Sequence, residues 1–287
     1  MSKKRRNSSR TSSPDVQPPP RMAPPRTQTE NTFSFTTPTE FVELPSKGMF
    51  YPDDHPLHNV DVVEIKHMTA KEEDILTSEP LLKNGMALNR LLQSVLTDSD
   101  IDPDSLLIGD KNAVLIATRQ TGFGDIYTTS IGCPACGEVN TKDFSLEEKE
   151  IKESELSDGV TLLDNGNFLL TLEDSQFTLE VEIKLLTGRD ELRITKTLER
   201  MKKLKKEPGN VTTMLQSIIV SVNEMKEPSA VNQVIAAMPV KLSRKIRNVY
   251  EDIMPNVNMY ADFECDSCNH VGRLEVPINL NFFWPEL

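Results

Sequence analysis

The sequence contains no apolar run approaching the about 20 residues that a membrane-spanning helix needs. It has only four cysteines and one tryptophan among 287 residues. Met1 to Arg10 carries bases with no apolar segment behind them, so no secretory signal is expected there. Four cysteines in a chain of this length, without an export signal, argue against a disulfide scaffold. Also missing are a glycine-rich dinucleotide fingerprint, a P-loop lysine, a G-x-S-x-G nucleophile turn and an H-E-x-x-H zinc motif. These absences exclude integral membrane proteins, secreted disulfide frameworks and the commonest enzyme signatures. They leave a soluble, acidic chain of mixed composition, 37% hydrophobic with a formal net charge of −12. Its length suggests about two folded units.

The charge is unevenly spread. In residues 1–38, Lys3, Lys4, Arg5, Arg6, Arg10, Arg21 and Arg26 face only Asp15 and Glu30, a balance of +5. The remainder holds 25 bases against 42 acids, or −17. The first segment is rich in proline, and its only aromatics are Phe33 and Phe35, too little apolar surface to offset the entropy of ordering it. It reads as a disordered, basic, Pro-rich tail. Four clustered bases make it either a weak, salt-sensitive contact for nucleic acid or a partner, or a solvated tail folding back on its acidic body.

From Phe41 the chain reads as folded. Phe41 to Leu44 and residues 60–67 have strand character, separated by the turn Pro45-Ser46-Lys47-Gly48. Thr69-Ala70-Lys71-Glu72 is a capping box opening a helix through about Thr77. Ala87 to Leu96 forms the next helix, with Leu88, Leu91, Leu92 and Val95 on one face. Asp110 is placed to cap a third over residues 111–121, with Gly122 and Gly124 ending it. After a polar stretch at 145–158, the turn Asp164 to Asn167 leads to two strand-like runs, Phe168 to Leu172 and Phe177 to Leu186. The period then becomes helical, with one helix from Gly188 to a stop at Pro208 and others over about Val211 to Glu224, Ser229 to Ala237 and Val240 to Ile253. Strand-like sequence returns at Val257 to Glu264 and Arg273 to Pro277.

One constellation carries chemistry. Cys133-Pro134-Ala135-Cys136-Gly137 and Cys265-Asp266-Ser267-Cys268 use every cysteine in the chain, each pair spaced C-x-x-C. Two thiolates at that spacing chelate one ion if the backbone turns sharply between them, and Gly137 and Asn269 suit the left-handed position after each turn. With strand-like sequence on both sides, this is the grammar of a zinc ribbon, although 128 residues separate Cys136 from Cys265. Loop-closure cost grows only logarithmically with length, so a ribbon split by an insertion tolerates the gap. Three readings compete: a structural Zn²⁺ site with Cys133, Cys136, Cys265 and Cys268 as ligands, a thioredoxin-type dithiol, and free cysteines. The dithiol lacks βαβ surroundings and leaves the second pair unexplained. His270 adjoins the second pair as a rim residue, and His55, His58 and His67 have no spacing partner. Asp98 to Asp104 gathers four carboxylates but lacks the glycine and closing glutamate of a calcium loop.

The ordered motifs are familiar. Leu44-Pro45-Ser46-Lys47-Gly48 leading to Phe50-Tyr51-Pro52 comes first, then Met68 to Leu76, then Gly109-Asp110-Lys111-Asn112 with Arg119, then Cys133 to Gly137. With the Phe282-Phe283-Trp284-Pro285 terminus, they resemble the T4-type bacteriophage baseplate protein family, linked to assembly of the central baseplate hub of contractile tails. The likeness spans residues 41–140 and the last 30. It implies a non-enzymatic structural or chaperone-like role through contacts with other phage baseplate hub proteins. The setting would be the host cytoplasm during assembly, with the virion tail baseplate as a further location. No catalytic residue follows from it.

The expected fold class is α+β: a basic tail over 1–38 and a small α/β region over 39–125. A split zinc ribbon follows over 126–187 and 256–287, with an all-helical insert over 188–255. The competing function is a zinc-ribbon nucleic-acid-binding or transcription-associated protein, which the acidic body disfavours. A thiol oxidoreductase is the third reading. Phe282-Phe283-Trp284 is either a partner anchor or a clip closing the protein's own core.

Overall fold

In the computed structural model, which describes residues 37–174, 177–204, 209–276 and 280–283, helices and small antiparallel sheets alternate along the chain. The basic tail through Thr36, the helix stop at Pro208 and Trp284 lie outside the described residues. Strand β1 (Thr39–Glu43) pairs antiparallel with β2 (Val62–Lys66). Val42, Val63 and Ile65 are buried while their neighbours face outward, as strand alternation requires. Helices α1 (Ala70–Thr77), α2 (Glu79–Lys83) and α3 (Ala87–Val95) follow. The capping box at Thr69 is present, and its Glu72 carboxylate also accepts from Ser94 Oγ at 2.6 Å, fastening α1 to α3. The short α2 was not signalled by periodicity.

Helix α4 (Ile108–Phe123) is the centre of this half, with Val114, Leu115, Ile116 and Ala117 buried in succession. A helix buried on every face loses the polar stripe that marks a surface helix. Its start corrects the sequence reading. Asp110 is not the cap but the third helical residue, and Gly122 lies within the helix, which ends at Gly124. The Asp110 carboxylate is fully buried. It accepts from the Ser46 N–H (2.9 Å), Ser46 Oγ (2.6 Å) and Tyr51 OH (2.7 Å). Tyr51 OH in turn accepts from the N–H of Leu107 at 3.0 Å. Burial raises the Asp110 carboxyl pKa, opposed by the Ser46 and Tyr51 hydrogen bonds. This network fixes the Pro45–Gly48 turn against the start of α4.

Beyond α4 come β3 (Ile126–Gly132), β4 (Val139–Ser145), β5 (Glu150–Lys152), β6 (Val160–Leu162), β7 (Phe168–Asp174) and β8 (Phe177–Ile183). Next are α5 (Gly188–Lys203), α6 (Asn210–Ile218), β9 (Ile219–Val222), α7 (Pro228–Ala237) and α8 (Val240–Ile253). The chain closes with β10 (Asn256–Asn258), β11 (Tyr260–Glu264) and β12 (Val271–Glu275). An antiparallel sheet runs in the order β6-β7-β8-β9.

Its last strand corrects the all-helical insert. The helix expected through Glu224 ends at Ile218, and residues 219–222 pair with β8. In the run Ile219-Val220-Ser221-Val222 every residue but Ser221 is β-branched and apolar; the run is ambiguous by period, and the open edge of β8 decides its state. Asn223 and Glu224, both with positive φ, turn the chain after it. Under the sheet, Glu182 accepts from Asn167 (2.7 Å), Asn165 (3.1 Å) and Ser221 (3.0 Å).

The excursion from β5 to β10 is closed at its base. Lys152 faces Asn256 and Glu150 faces Asn258 in a short antiparallel ladder. That ladder lies against α4, where Gly109 leaves room for the backbone: a Cβ there would stand 2.0 Å from the Pro255 carbonyl oxygen. Phe282 and Phe283 are buried in the main core, and Phe282 meets Tyr127 edge-on at 4.8 Å. For these two aromatics the clip reading holds. Arg119 is buried between the rings of Tyr127, Phe282 and Phe123, with its guanidinium 5.1–5.6 Å from their centroids.

Two predictions follow from these networks. Asp110→Ala leaves the Ser46 and Tyr51 donors buried without an acceptor, which should cost about 1–3 kcal/mol for each. A lowered urea midpoint at unchanged slope is the expected reading. For Glu182, burial raises the carboxyl but the Asn167, Asn165 and Ser221 donors outweigh it, so its pKa is lowered. The stability it adds is complete above the ordinary Glu value of about 4.3 and is lost as pH falls through the folded value. Glu182→Gln should therefore flatten the acid limb of a stability profile measured between neutrality and pH 3.

Candidate metal centre

Two hairpins far apart in sequence carry the four cysteines at their tips. In the first, β3 pairs with β4 from Ile126↔Ser145 to Gly132↔Val139. In the second, β11 pairs with β12 from Tyr260↔Glu275 to Glu264↔Val271. The tips share one backbone design. The N–H of Cys133 donates to the Glu138 carbonyl (2.8 Å), and that of Gly137 to the Cys133 carbonyl (2.8 Å). The second tip repeats both bonds, from Cys265 to His270 (2.9 Å) and from Asn269 to Cys265 (3.0 Å). Gly137 (φ +76°) and Asn269 (φ +54°) occupy the left-handed position in each, as the sequence suggested.

The tips face one another. Cys133 Sγ lies 3.7 Å from Cys268 Sγ, and Cys136 Sγ lies 3.7 Å from Cys265 Sγ. All four sulfur atoms fall within 4.8 Å of one another, and among the described residues they are the one such group of potential ligands. A tetrahedron with metal–sulfur arms of about 2.3 Å has edges of about 3.8 Å. Both cross-tip separations match that edge, and the four sulfurs together are close enough to share one four-coordinate ion.

In each tip the first cysteine is buried and the second exposed. Cys133 and Cys265 pack with Phe263, and the partly buried Leu274 packs against them, forming a small apolar cluster apart from the main core.

The thiols also influence one another. Burial pushes the Cys265 thiol up, but the N–H groups of Ser267 and Cys268 and the Cys268 and Cys133 thiols outweigh it and hold it at about 6. At Cys268 the His270 N–H lowers the pKa, while Cys136, burial, Cys265 and Cys133 together push it to about 12. Four thiols this close cannot ionise together without a compensating cation, and a divalent ion supplies that charge when bound.

Asn140 belongs to this site and was missed by cysteine spacing. It stands on β4, 4% exposed. Its Oδ1 accepts from the Asp266 N–H at 2.8 Å, and its Nδ2 lies 3.6 Å from Cys265 Sγ. The available signal was strand alternation, which puts this amide on the same inward face as buried Phe144. At the rim, Lys142 pairs with Asp266, and Arg273 pairs with Glu150 at 2.6 Å while lying over the Tyr260 ring. His270 contributes its carbonyl to the tip. His55 is bonded to Ser105 and stacked on Tyr51, and His58 is bonded to the Tyr51 carbonyl. In the acidic loop, Asp102 pairs with Arg189 and Asp104 with Asn89.

The family model described as T4 bacteriophage base plate protein matches residues 37–284 of the chain. No curated protein and no solved structure matches it.

The sulfur geometry predicts a saturable, tetrahedral response to Co²⁺: visible d–d bands with thiolate charge transfer, complete at one equivalent per chain. Featureless or unsaturable absorption would show that the four sulfurs do not act as one ligand set.

Proposed function

The chain belongs to the T4 bacteriophage base plate protein family, and on that premise we propose that it is a non-enzymatic structural and assembly protein of the tail baseplate hub. In this reading it acts in a chaperone-like manner through protein contacts, during assembly in the host cytoplasm. One Zn²⁺ is held by Cys133, Cys136, Cys265 and Cys268. Residues 126–187 and 256–287 supply the split ribbon, and residues 188–255 form an insert whose ends the metal ties together. The observation that carries the proposal is the approach of two cysteine pairs 129 positions apart to 3.7 Å, at the tips of matched hairpins. Four thiolates leave no open coordination position, which is the arrangement of a structural zinc rather than a catalytic one.

The hairpin surface favours protein partners over nucleic acid. Glu138, Asp143, Asp262, Glu264, Asp266 and Glu275 are exposed on the two hairpins, and their two bases, Lys142 and Arg273, are already paired with acids. Phosphate binding needs a basic face. No described helix is long and apolar enough to cross a membrane.

Cys265→Ser should lower zinc content, measured by elemental analysis, and lower the melting temperature. The stabilisation at stake is about 4 kcal/mol if free metal exceeds its dissociation constant a thousandfold. A metal-free wild type whose melting is indifferent to the substitution would overturn the zinc assignment. For the assembly role, tagged protein recovered from infected cells should bring other baseplate hub components with it. Recovery with nucleic acid alone, in a manner that survives deletion of residues 1–38, would favour the competing reading.

A further inference from the structure

The two tips are alike in backbone, yet the contacts between them are not symmetric. Cys265 Sγ faces the side-chain amide of Asn140 from the other hairpin at 3.6 Å. Cys265 is also fully buried, so water cannot solvate its sulfur. Asn140 is itself held in place: its Nδ2 donates to the Glu138 carbonyl at 3.0 Å, inside the first tip. Its Oδ1 takes the N–H of Asp266, the residue directly after Cys265, at 2.8 Å. One buried amide thus contacts the first tip, the backbone of the second and a sulfur of the second. The Asp266–Asn140 bond joins the two tips without passing through a metal.

We propose that Asn140 is the positioning residue of the metal centre. It presets the approach of the Cys265–Cys268 tip to the Cys133–Cys136 tip, and it supplies the cross-hairpin N–H donor to the Cys265 thiolate. This inference rests on the zinc reading above and adds to it a residue outside the ligand set. Hydrogen bonds to a ligand atom orient it and spread its charge, and loss of such partners typically weakens metal binding by about 10–100-fold.

Two variants separate the roles of this side chain. Asn140→Leu removes both the acceptor for Asp266 and the donor to sulfur. Asn140→Asp keeps the acceptor, loses the donor and places negative charge beside the thiolate. Zinc affinity of the full chain is measured by competition with a chromophoric chelator, and the Co²⁺-loaded forms are compared by their thiolate charge-transfer bands. The expected result is a loss of zinc affinity of about 10–100-fold in Asn140→Leu. A displaced charge-transfer band is expected in both variants, which a residue that merely fills space would not produce. Wild-type affinity with an unmoved band in Asn140→Leu would overturn the proposal. If that variant does not fold, the same outcome in the near-isosteric Asn140→Asp overturns it. A metal-binding wild type with indifferent variants removes this inference alone, whereas a wild type that takes up no metal removes the zinc reading and this inference together.

Discussion

Closure of one long excursion is the constraint on which this architecture depends. The chain leaves the first half at β5 and returns at β10, and these two strands pair. Immediately outside them, on either side, stand the cysteine hairpins, which meet at their tips. A ladder of three residue pairs is a weak closure by itself, since isolated two-stranded pairings are marginal in water. The hairpin tips bring the chain together at a second point, where the four sulfur atoms lie within 4.8 Å of one another. Because lengthening a loop adds only about 0.6 kcal/mol per doubling, the sheet and helices described between the closures are accommodated at small entropic cost.

Helix α4 is the anvil against which this closure is made. Its first turn binds the Pro45–Gly48 turn through Asp110 and touches the returning chain at Gly109 and Pro255. Its last turns carry Arg119, whose guanidinium donates to the Gly124 and Ile126 carbonyls at the entrance to β3. Phe282, from the far end of the chain, packs over the same guanidinium. Residues separated by more than 150 positions therefore converge on one helix. That convergence is consistent with Thr37–Leu287 forming a single compact unit.

Much of this was legible in the sequence where a local rule decides the outcome. The capping box at Thr69, the β7–β8 alternation, the turn at Asp164 to Asn167, and the left-handed positions at Gly137 and Asn269 are set within a few residues. The failures occurred where a distant partner decides. Ile219 to Val222 became a strand because β8 offered an edge, and Glu150 to Lys152 became one because β10 returns to it. Asp110 looked like a cap because its true acceptor role depends on Ser46 and Tyr51, some 60 positions away. At the candidate metal centre, the spacing of the two C-x-x-C pairs marked out the four cysteines whose sulfur atoms the fold brings together. Asn140 was not marked out, since a polar residue in a hairpin gains its meaning from what faces it.

The wide separation of the matched tips also has a temporal side. On a ribosome adding about 5–20 residues per second, Cys136 is made about 6–26 s before Cys265, 129 positions later. A hairpin closes in about 1–10 μs, so the first tip is complete long before its counterpart exists. For that interval the nascent chain carries the first cysteine pair without its counterpart. An ion that took all four sulfurs would therefore be fully coordinated only after the intervening sheet and helices had been made.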